Sequence, residues 1–586
     1  MDISRQGIWT NWGLGPVLGL TFTTTKSYGN FIIAFMAIFV AFVINCIWKI
    51  ACISIHRGYS TTKSRDTLHH QRQVILRNSS SPGSGLSAFL CLLLAWRGTS
   101  IRRHLRLWPV ILLALLCLLG GMLSGSVFSA TSTIAGNMVE YPYGFRYGTI
   151  PGDTELLHDS SVYAHCCYNS TVNTAPCVMS CAHFVVAHLP MNETNTRAEC
   201  PFQSQVCRST NANLRLDTGY IDSNDHMGLN APTGERFAWR YVLHCAPLQT
   251  YNFTSNGRRG NNHVQSDFGP IAELDRPDAD LVIAFLSGNG VLFRQALDDD
   301  WYQATVPIAT TESTPGSKPT LKYRPLNAAS PMGCLQQMQW CNSAYPKDRG
   351  CGPLASAHDA FHGAAPLFNL TTDEAFGLNS LRPYSSQAAG ARLVWSVLAV
   401  LNSPASFLDV IIMNLGSRSL ISQFQSNNGI QQPIPLDQWQ DDVRHWCNTA
   451  LASLQATFMK ITTTAFSQAP LTEEETKICQ SQKYRSDGHI SFSVFVLGFI
   501  VVFGVVAISI SYLLEPFFSH LSKRNKSRQY SHLEWVTNEA LQLHRLVHEG
   551  HSQTTWLRCD QGVPINDAEA LLPSLDISDP EHPTLG

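Results

Sequence analysis

Three long apolar stretches constrain the fold of this 586-residue chain more than any other feature of its sequence. They run from Phe31 to Trp48, from Trp108 to Ala130 and from Ile490 to Leu514. A helix needs about 20 apolar residues to cross the hydrocarbon core of a bilayer, and each stretch is close to that length. Charged residues make up only 14% of the chain, well below the average of roughly 25%. The sequence therefore predicts an integral membrane protein with three transmembrane helices, in segments 31–54, 108–130 and 490–514.

A fourth apolar run, Ala88–Trp96, has about half the length of a span and precedes the cationic sequence RGTSIRRHLRLW. Apolar residues beside cationic ones are typical of a helix that lies on an anionic membrane surface. We therefore expect one short interfacial or re-entrant helix near residues 86–107.

Lysine and arginine are concentrated beside the spans on one side, which the positive-inside rule assigns to the cytosol. The loop 55–107 has Asp66 as its only acidic residue, and the tail 515–586 begins with a second basic cluster. Both are predicted to be cytosolic, so residues 1–30 and 131–489 face the lumen or exterior. The first span lacks a clear cleavage site and is predicted to be an N-out signal anchor. The side chains predicted to contact the membrane surface are Arg97, Arg102, Arg103, Arg106, Lys523, Arg524, Lys526 and Arg528.

Twelve of the 17 cysteines fall in the predicted outer segment. An even number of cysteines in an oxidising compartment indicates a disulfide framework, whose connectivity the sequence leaves open. The disulfide candidates are Cys166, Cys167, Cys177, Cys181, Cys200, Cys207, Cys245, Cys334, Cys341, Cys351, Cys447 and Cys479.

The same segment carries four N-x-[ST] sequons, at Asn169, Asn192, Asn252 and Asn369, which we predict to be glycosylated. Two more, at Asn78 and Asn525, lie on the predicted cytosolic side and should stay unmodified. Sequons, cysteines and charge therefore indicate one topology.

Two patterns predict an α+β ectodomain. LVIAFLSGNGVLF, Leu281 to Phe293, has two β-type runs around a Ser-Gly-Asn-Gly turn and predicts a hairpin. Asp437 to Phe466 has helical periodicity without internal glycine or proline and predicts a long helix. In the tail, HLEWVTNEALQLHRLVHEG predicts an amphipathic helix.

The stretch HHQRQVILRNSSSPGSG, His69 to Gly85, lies in the basic loop. It predicts a short amphipathic helix that ends at the serine-proline-glycine sequence. Adjacent histidines point in different directions on a helix, so His69 and His70 are poor partners for one metal ion. The arginines are free to contact lipid phosphates or an internal partner, and contact with the membrane surface is the preferred interpretation.

His358 and His362 form the sharpest catalytic pattern, HDAFH. Residues i and i+4 share a helix face, so both imidazoles can approach one zinc ion, with Asp359 at the place of the zincin glutamate. No third ligand follows, and Gly363 should end the helix, so the two histidines are only a weak metal candidate and no cofactor is predicted.

Two other clusters favour structural roles. Cys177, Cys181, His183 and His188 resemble a zinc set, but cysteines in an oxidising compartment more often form disulfides. Asp298–Asp300 lacks the alternating spacing of an EF-hand loop and is predicted to be a solvated turn.

Several function classes are disfavoured. The net charge of -2 is unlike the strongly basic balance of nucleic-acid binders, so no nucleic acid is expected as a partner. The chain has no nucleophile elbow, Walker loop or dinucleotide fingerprint. The spans contain almost no ionisable residues, which argues against an ion pathway. A non-enzymatic role is therefore favoured.

Four segments carry a resemblance to a known family: KSYGNFIIAFMAIFVAFVINCIWKIACISIHRGYST, DTLHHQRQVILRNSSSPGSG, QWQDDVRHWCNTALASLQ and EWVTNEALQLHRLVHEG. The chain resembles a large group of uncharacterised integral membrane proteins from filamentous ascomycete fungi, from the first span to the tail. That family supplies no catalytic residues to carry over. Some of its members are encoded in or near secondary-metabolite gene clusters, which implies an accessory role there.

Three functions follow as expectations. The first is a glycosylated, disulfide-bonded ectodomain that binds a ligand or partner at the fungal cell surface or in secretory membranes. The second is an accessory membrane component of a secondary-metabolite pathway. The third is a metal-dependent ectoenzyme that uses His358 and His362. The expected partners are the lipid bilayer and an unknown protein or small molecule.

Overall fold

A computed structural model of the chain divides into two compact units. Unit 1 consists of Met1–Thr24 and Ala135–Ser491, and unit 2 of Thr25–Ile134 and Phe492–Gly586. The residues that the structure describes are 6–96, 107–133, 138–140, 153–168, 181, 184–203, 205–249, 254–255, 269–288, 290–310, 320–370, 408–463, 481–522, 526–551, 555–566, 572–576, 579–580, 582 and 584–585.

Unit 2 is mainly helical. Its described helices are α1 (Lys26–Tyr59), α2 (Thr67–Asn78), α3 (Pro82–Ala95), α4 (Trp108–Ser132), α9 (Val494–Ser522), α10 (Lys526–Thr537) and α11 (Ala540–His551). The four helices of unit 1 are numbered α5 to α8 below. The predicted helix in the tail is thus two helices, α10 and α11, because the chain turns at Asn538 and Glu539. Short strand pairs follow, β19 (Trp556–Leu557) with β20 (Ile565–Asn566) and β21 (Leu575–Asp576) with β22 (Thr584–Leu585).

Two helices, α1 and α9, are long and apolar enough to cross a membrane. Only 22% and 17% of their most apolar windows are buried within the chain. The core helix of a soluble protein would be buried on its apolar face, whereas these helices expose side chains such as Phe31 and Phe499. The third predicted span is helical, as α4. Its described side chains end at Leu123, and among the described residues two helices, α1 and α9, have the length and hydropathy of a membrane span.

The serine-proline sequence between α2 and α3 begins a helix. The Ser81 hydroxyl accepts a hydrogen bond from the Ser84 N–H, and Pro82 occupies the first helical turn, where its missing N–H costs nothing. Most of the apolar run Ala88–Trp96 is thus helical, as part of the 14-residue helix α3.

Arg72 and Arg77 of α2 make internal contacts, unlike the preferred lipid contact. Arg72 is buried and stacks 3.9 Å above the Tyr59 ring. Arg77 pairs with Glu515 at 2.9 Å and with Glu539 at 2.6 Å. The acidic partners lie far away in the sequence, at the start of the tail, which is why the local pattern did not reveal them.

Unit 1 is built on a six-stranded antiparallel sheet of β4 (Glu193–Ala198), β5 (Asn213–Asp217), β6 (Ile221–Asp222), β7 (Phe237–Pro247), β10 (Asp280–Ser287) and β14 (Ala329–Asn342). The strand order is β10-β14-β7-β5-β4, and β6 pairs with β7. A five-stranded sheet, β12-β13-β11-β16-β15, contains β11 (Leu292–Phe293), β12 (Val306–Thr310), β13 (Thr320–Arg324), β15 (Ser426–Asn427) and β16 (Ile430–Gln431).

Smaller sheets complete unit 1. A three-stranded sheet joins β1 (Gly7–Thr10), β2 (Leu20–Thr25) and β18 (His489–Ser493). Two-stranded pairs join β3 (Met138–Glu140) to β17 (Lys483–Arg485) and β8 (Thr254–Ser255) to β9 (Gly269–Pro270). The described helices are α5 (Asp153–Tyr163), α6 (Ala357–Ala364), α7 (Leu408–Leu415) and α8 (Gln438–Thr463). The mixture of helix and sheet confirms the α+β prediction.

The hairpin predicted for Leu281 to Phe293 is wrong. β10 pairs with β14, while β11 pairs with β13 and β16 in the other sheet. Both runs have β-type residues, but each finds a longer-range partner, since sheet propensity reflects the packing partner more than the local turn. Gly290, at φ 81°, takes the chain from one sheet to the other.

Helix α8 confirms the helix predicted from Asp437 to Phe466 and packs its apolar face on the main core. Trp439, Val443 and Trp446 are buried there, and the Trp301 and Trp446 rings meet edge to face at 5.7 Å. Buried aromatic pairs of this kind stabilise a core beyond their area alone. One face of α8 is thus fixed, and the opposite face is left for other contacts.

Four disulfides confirm the disulfide-bonded character of segment 131–489. They join Cys167 to Cys181, Cys200 to Cys207, Cys245 to Cys334, and Cys341 to Cys351. Cys166 is disulfide-bonded as well, and Cys177 and Cys479 lie outside the described residues.

Cys447 is a correction to the predicted disulfide set, because its thiol is free. It lies on the core-facing side of α8 and is fully buried among apolar side chains. Burial raises the pKa of this thiol to about 12, so it behaves as a small hydrophobic residue. The even number of cysteines was therefore a misleading sign of complete pairing, because eleven candidates remain without Cys447.

Candidate functional site

A cavity of about 400 Å³ opens in unit 1 at the face of α8 that turns away from the core. Its volume falls within the range of roughly 300 to 1,000 Å³ that small-molecule sites occupy. We call it the histidine cavity. It is lined by Ala164, His165, Tyr168, Ile421, Phe424, Gln425, Pro435, Gln438, Asp441, Arg444, His445 and Asn448.

Three segments supply this lining. A π-helical turn, Ala164–Tyr168, continues directly from α5, and a 3-10 helix, Ile421–Gln425, lies across from it. The third is the first half of α8, where Asp441, Arg444, His445 and Asn448 recur at i, i+3, i+4 and i+7. That spacing places the four polar side chains on one helix face. π-helical turns are rare and frequently occur at functional sites.

His165 and His445 both line the cavity. The His165 ring stacks on Phe424 with ring centroids 4.1 Å apart and an interplanar angle of 14°. Its ring meets that of His445 edge to face at 6.4 Å. Burial lowers the pKa of His445 to about 4 and also lowers the pKa of His165, so both imidazoles are neutral near pH 7.

One polar atom of this wall has no partner among the described residues. The Nδ1 atom of His165 is buried and makes no hydrogen bond there. A buried polar group without a partner costs free energy, so such atoms are normally satisfied by water or a ligand. Because the atom is buried, it lies behind the cavity surface and not on it.

Ser161 positions His445. The Ser161 hydroxyl and His445 Nε2 share a hydrogen bond of 3.0 Å. A serine beside a histidine suggests a nucleophile and its base. Ser161 is buried, however, and is absent from the lining of the cavity, so this pair orients the imidazole.

The charges of the cavity balance. Asp441 and Arg444 form an ion pair on one face of α8, and the other polar side chains are neutral. Gln425, Gln438 and Asn448 each present both a donor and an acceptor. The site is therefore arranged for an uncharged or internally balanced polar molecule.

A buried carboxylate network lies beneath this site. The Tyr302 hydroxyl donates to Asp442 Oδ2 at 2.6 Å and contacts the Ser422 hydroxyl at 2.7 Å. The Ser422 N–H donates to Asp442 Oδ1 at 3.1 Å. Burial raises the pKa of Asp442 to about 7. Because Ser422 belongs to the 3-10 helix that carries Phe424, this network holds one wall of the cavity.

The solvated turn predicted for Asp298–Asp300 is wrong at its central residue. Asp298 is exposed, but Asp299 is fully buried and accepts hydrogen bonds from the backbone N–H groups of Trp301, Tyr302 and Trp439. The carboxylate thus ties the turn to the start of α8. Burial raises its pKa to about 6.

His358 and His362 lie on one face of α6 as the spacing predicts, with ring centroids 4.1 Å apart. Asp359 contacts His358 at 3.2 Å. Within the part of the chain that the structure describes, no group of three or more histidine, cysteine or acidic residues is arranged to hold a metal ion. The structure describes two residues of the possible zinc set around Cys181. Cys181 is bonded to Cys167 and is no free thiolate, and His188 contacts the Tyr168 ring. Cys177 and His183 lie outside the described residues.

The predicted glycosylation sites are described in part. Asn192 and Asn369 are exposed, whereas Asn169 and Asn252 lie outside the described residues. Asn78 donates to the Asn538 carbonyl and accepts from the Ala540 N–H. Of the residues predicted to contact the membrane surface, Lys526 and Arg528 belong to the first turn of α10. Arg97, Arg102, Arg103, Arg106, Lys523, Arg524 and Asn525 lie outside the described residues.

The sequence interpretation missed the histidine cavity. The signal was present in part, because the predicted helix from Asp437 carries the polar stripe of α8 on the face opposite its tryptophans. A polar stripe is also what any exposed helix face shows, so the pattern alone does not indicate a site. His165 and Phe424 had no signal of their own.

A comparison of the chain with protein-family models, with curated proteins and with solved structures found no match.

Proposed function

We propose that this chain is a multi-pass membrane protein whose disulfide-bonded, N-glycosylated ectodomain binds a small neutral polar ligand in the histidine cavity. The observation that carries the proposal is the composition of the cavity wall: a stacked His165–Phe424 pair, neutral imidazoles and an internally paired Asp441–Arg444. The protein belongs in the plasma membrane or a secretory membrane, with Trp108–Ala130 as a third span.

The distribution of cysteines supports this topology. Four described disulfides lie within residues 167–351 of unit 1, where Cys166 is also disulfide-bonded and Cys447 is a buried free thiol. The five cysteines of unit 2 are free thiols: Cys46, Cys52, Cys91, Cys117 and Cys559. Disulfides persist in secretory and extracellular compartments and are rare in the cytosol. The division is what a lumenal unit 1 and a unit 2 in the membrane and cytosol would show.

A saccharide is the ligand class that fits best. Its hydroxyl groups are both donors and acceptors, as are the amides of Gln425, Gln438 and Asn448. Its C–H faces pack on aromatic rings, and Phe424 is half exposed beside His165. A charged ligand would instead have to break the Asp441–Arg444 pair or remain unpaired in the cavity.

Replacing Phe424 with alanine should weaken saccharide binding at least tenfold and leave folding intact, because a half-exposed ring contributes little to the core. The measurement is calorimetric titration of the full-length chain in detergent with neutral oligosaccharides of glucose and of N-acetylglucosamine. Tyr345→Ala is the matched control, since Tyr345 is also half exposed but lies outside the cavity. Equal binding by both variants, or no binding of either sugar by the unaltered chain, would refute the saccharide proposal.

Endoglycosidase treatment of the protein from its natural host should increase its electrophoretic mobility. The shift should persist in the Asn78→Gln, Asn525→Gln double variant, since these sequons lie on the proposed cytosolic side. Replacing the asparagines at 169, 192, 252 and 369 together should abolish it. A shift that depends on Asn78 or Asn525 would reverse the proposed topology.

A further inference from the structure

This inference rests on the proposed membrane location. The proposed cytosolic ends of two spans, α1 and α9, lie next to each other in unit 2. The first charged residue after the apolar run of α1 is Lys49, and the first after that of α9 is Glu515. The two side chains are 3.8 Å apart. We take the level of this ion pair as the boundary between the hydrocarbon and headgroup layers.

A cavity of about 420 Å³ lies across this boundary. We call it the Arg77 cavity. Its apolar end includes Phe42, which lies seven residues, roughly 10 Å, before Lys49 on α1. Its polar end includes Lys49, Arg77, Ser79, Ser80 and Glu539. Asn45 and Cys46 lie between Phe42 and Lys49 on α1 and also line the cavity, together with Ser511 and Tyr512 of α9. The cavity therefore extends from the level proposed for the acyl chains to the level proposed for the headgroups.

The polar end holds two cations and two anions in one cluster. Arg77 pairs with Glu515 and Glu539, and Glu515 also contacts Lys49 and accepts a hydrogen bond from the Trp535 indole at 2.8 Å. Arg77, Lys49, Ser79 and Ser80 all line this end of the cavity and carry hydrogen-bond donors. Donors of this kind, two of them cationic, fit a phosphate oxygen.

The charge balance selects the kind of headgroup. The cluster is neutral as it stands, so an anionic headgroup would leave an excess negative charge in a partly buried place. A zwitterionic headgroup adds no net charge. Its phosphate can meet Arg77, Lys49 and the serines, while its amine can meet a carboxylate oxygen of Glu539.

We propose that the Arg77 cavity binds the zwitterionic headgroup of an inner-leaflet glycerophospholipid, with the phosphate at Arg77 and Lys49 and the amine at Glu539. The acyl chain lies along Phe42. The bound lipid joins α1 and α2 to the tail at α10 and α11.

Native mass spectrometry of the full-length chain in detergent tests this, with dioleoyl phosphatidylethanolamine and dioleoyl phosphatidylglycerol added in turn. Both lipids have the same chains and a phosphate, but only the first carries an amine. We expect a one-to-one adduct with phosphatidylethanolamine at least fivefold more abundant than with phosphatidylglycerol. Lys49→Gln should lower this adduct at least fivefold, and Lys63→Gln, an exposed lysine outside the cavity, should leave it unchanged.

Glu539→Gln separates a headgroup site from a general loss of fold. It makes the cluster cationic, so the preference should reverse toward phosphatidylglycerol, whereas a damaged fold would lose both adducts. Equal adducts with both lipids in the unaltered chain, or no reversal in a folded Glu539→Gln, would overturn the inference. A chain that stays monomeric in buffer without detergent would instead overturn the proposed membrane location.

Discussion

A chain in which Cys245 and Cys334 are both replaced by alanine will unfold at a markedly lower temperature than the unaltered protein. The two cysteines lie opposite each other on β7 and β14, the two longest strands of the main sheet, and both are buried. Their disulfide closes a loop with a sequence separation of 89 residues. Closing a loop of that length removes chain entropy from the unfolded state, which is worth about 4 to 5 kcal/mol in the loop-closure model.

The expected loss is about 10 °C in the midpoint of thermal unfolding, followed by the fluorescence of the buried tryptophans of unit 1. The pair Cys341→Ala, Cys351→Ala is the matched control, because this disulfide joins neighbouring backbones in the same unit but has a separation of only 10 residues. It should cost roughly 3 kcal/mol or less. Equal losses in the two double variants would contradict the loop-closure explanation.

Local patterns in the sequence were sufficient for features that depend on the residues of one segment. Helix α8 followed from its periodicity, and the apolar stretches of α1 and α9 followed from their length. Cysteine content and predicted compartment together indicated disulfides. Each of these features is decided within a window of the chain or by composition, so no knowledge of the fold was needed.

Features that depend on contacts between residues far apart in the sequence could not be predicted from local patterns. The β-type runs around Gly290 looked like a hairpin, but β14 and β16 are better partners for them. Asp299 looked solvated, but three backbone N–H groups, one of them from Trp439, satisfy its carboxylate in the interior. Cys447 was predicted to form a disulfide, but it lies on the core-facing side of α8, buried among apolar side chains.

The histidine cavity could not be predicted from local patterns either, because its lining residues come from segments far apart in the sequence. Ser161 and His445 share a hydrogen bond although 284 positions separate them. His165 and Phe424 stack across a similar separation. The sequence supplies the residue types for a binding site in each segment, and only the packing of α5, α8 and the 3-10 helix at Ile421–Gln425 brings them together.

The Asp442 network beneath the cavity should make the stability of unit 1 depend on pH, and one substitution should remove that dependence. Desolvation raises the pKa of Asp442 to about 7 in the folded protein, from an ordinary value of 3.8. Between these two values the native state holds a proton that the unfolded chain has released. Stability is therefore lost as the pH rises through this window, and above about pH 7 a buried carboxylate is ionised at full cost.

Asp442→Asn keeps the network and removes the charge. The amide oxygen can accept from the Ser422 N–H, and the amide nitrogen can donate to Tyr302, whose hydroxyl then donates to Ser422. We expect the variant to be more stable than the unaltered chain at pH 8, by an amount on the order of a few kcal/mol, and this advantage to shrink steadily as the pH falls to 4.

Thermal unfolding of both proteins at half-unit steps from pH 4 to pH 8 measures this difference. Buried histidines act in the opposite direction, because burial lowers the pKa of His244 and of His445 to about 4, so each costs stability below its ordinary value of 6.5. Those contributions are common to both proteins and cancel when the two midpoints are subtracted at each pH. A difference that stays constant across the range, or that grows toward pH 4, would mean that Asp442 is already ionised in the folded protein throughout. The network would then hold the Phe424 wall of the cavity as a carboxylate that accepts from Tyr302 and Ser422 at every pH tested.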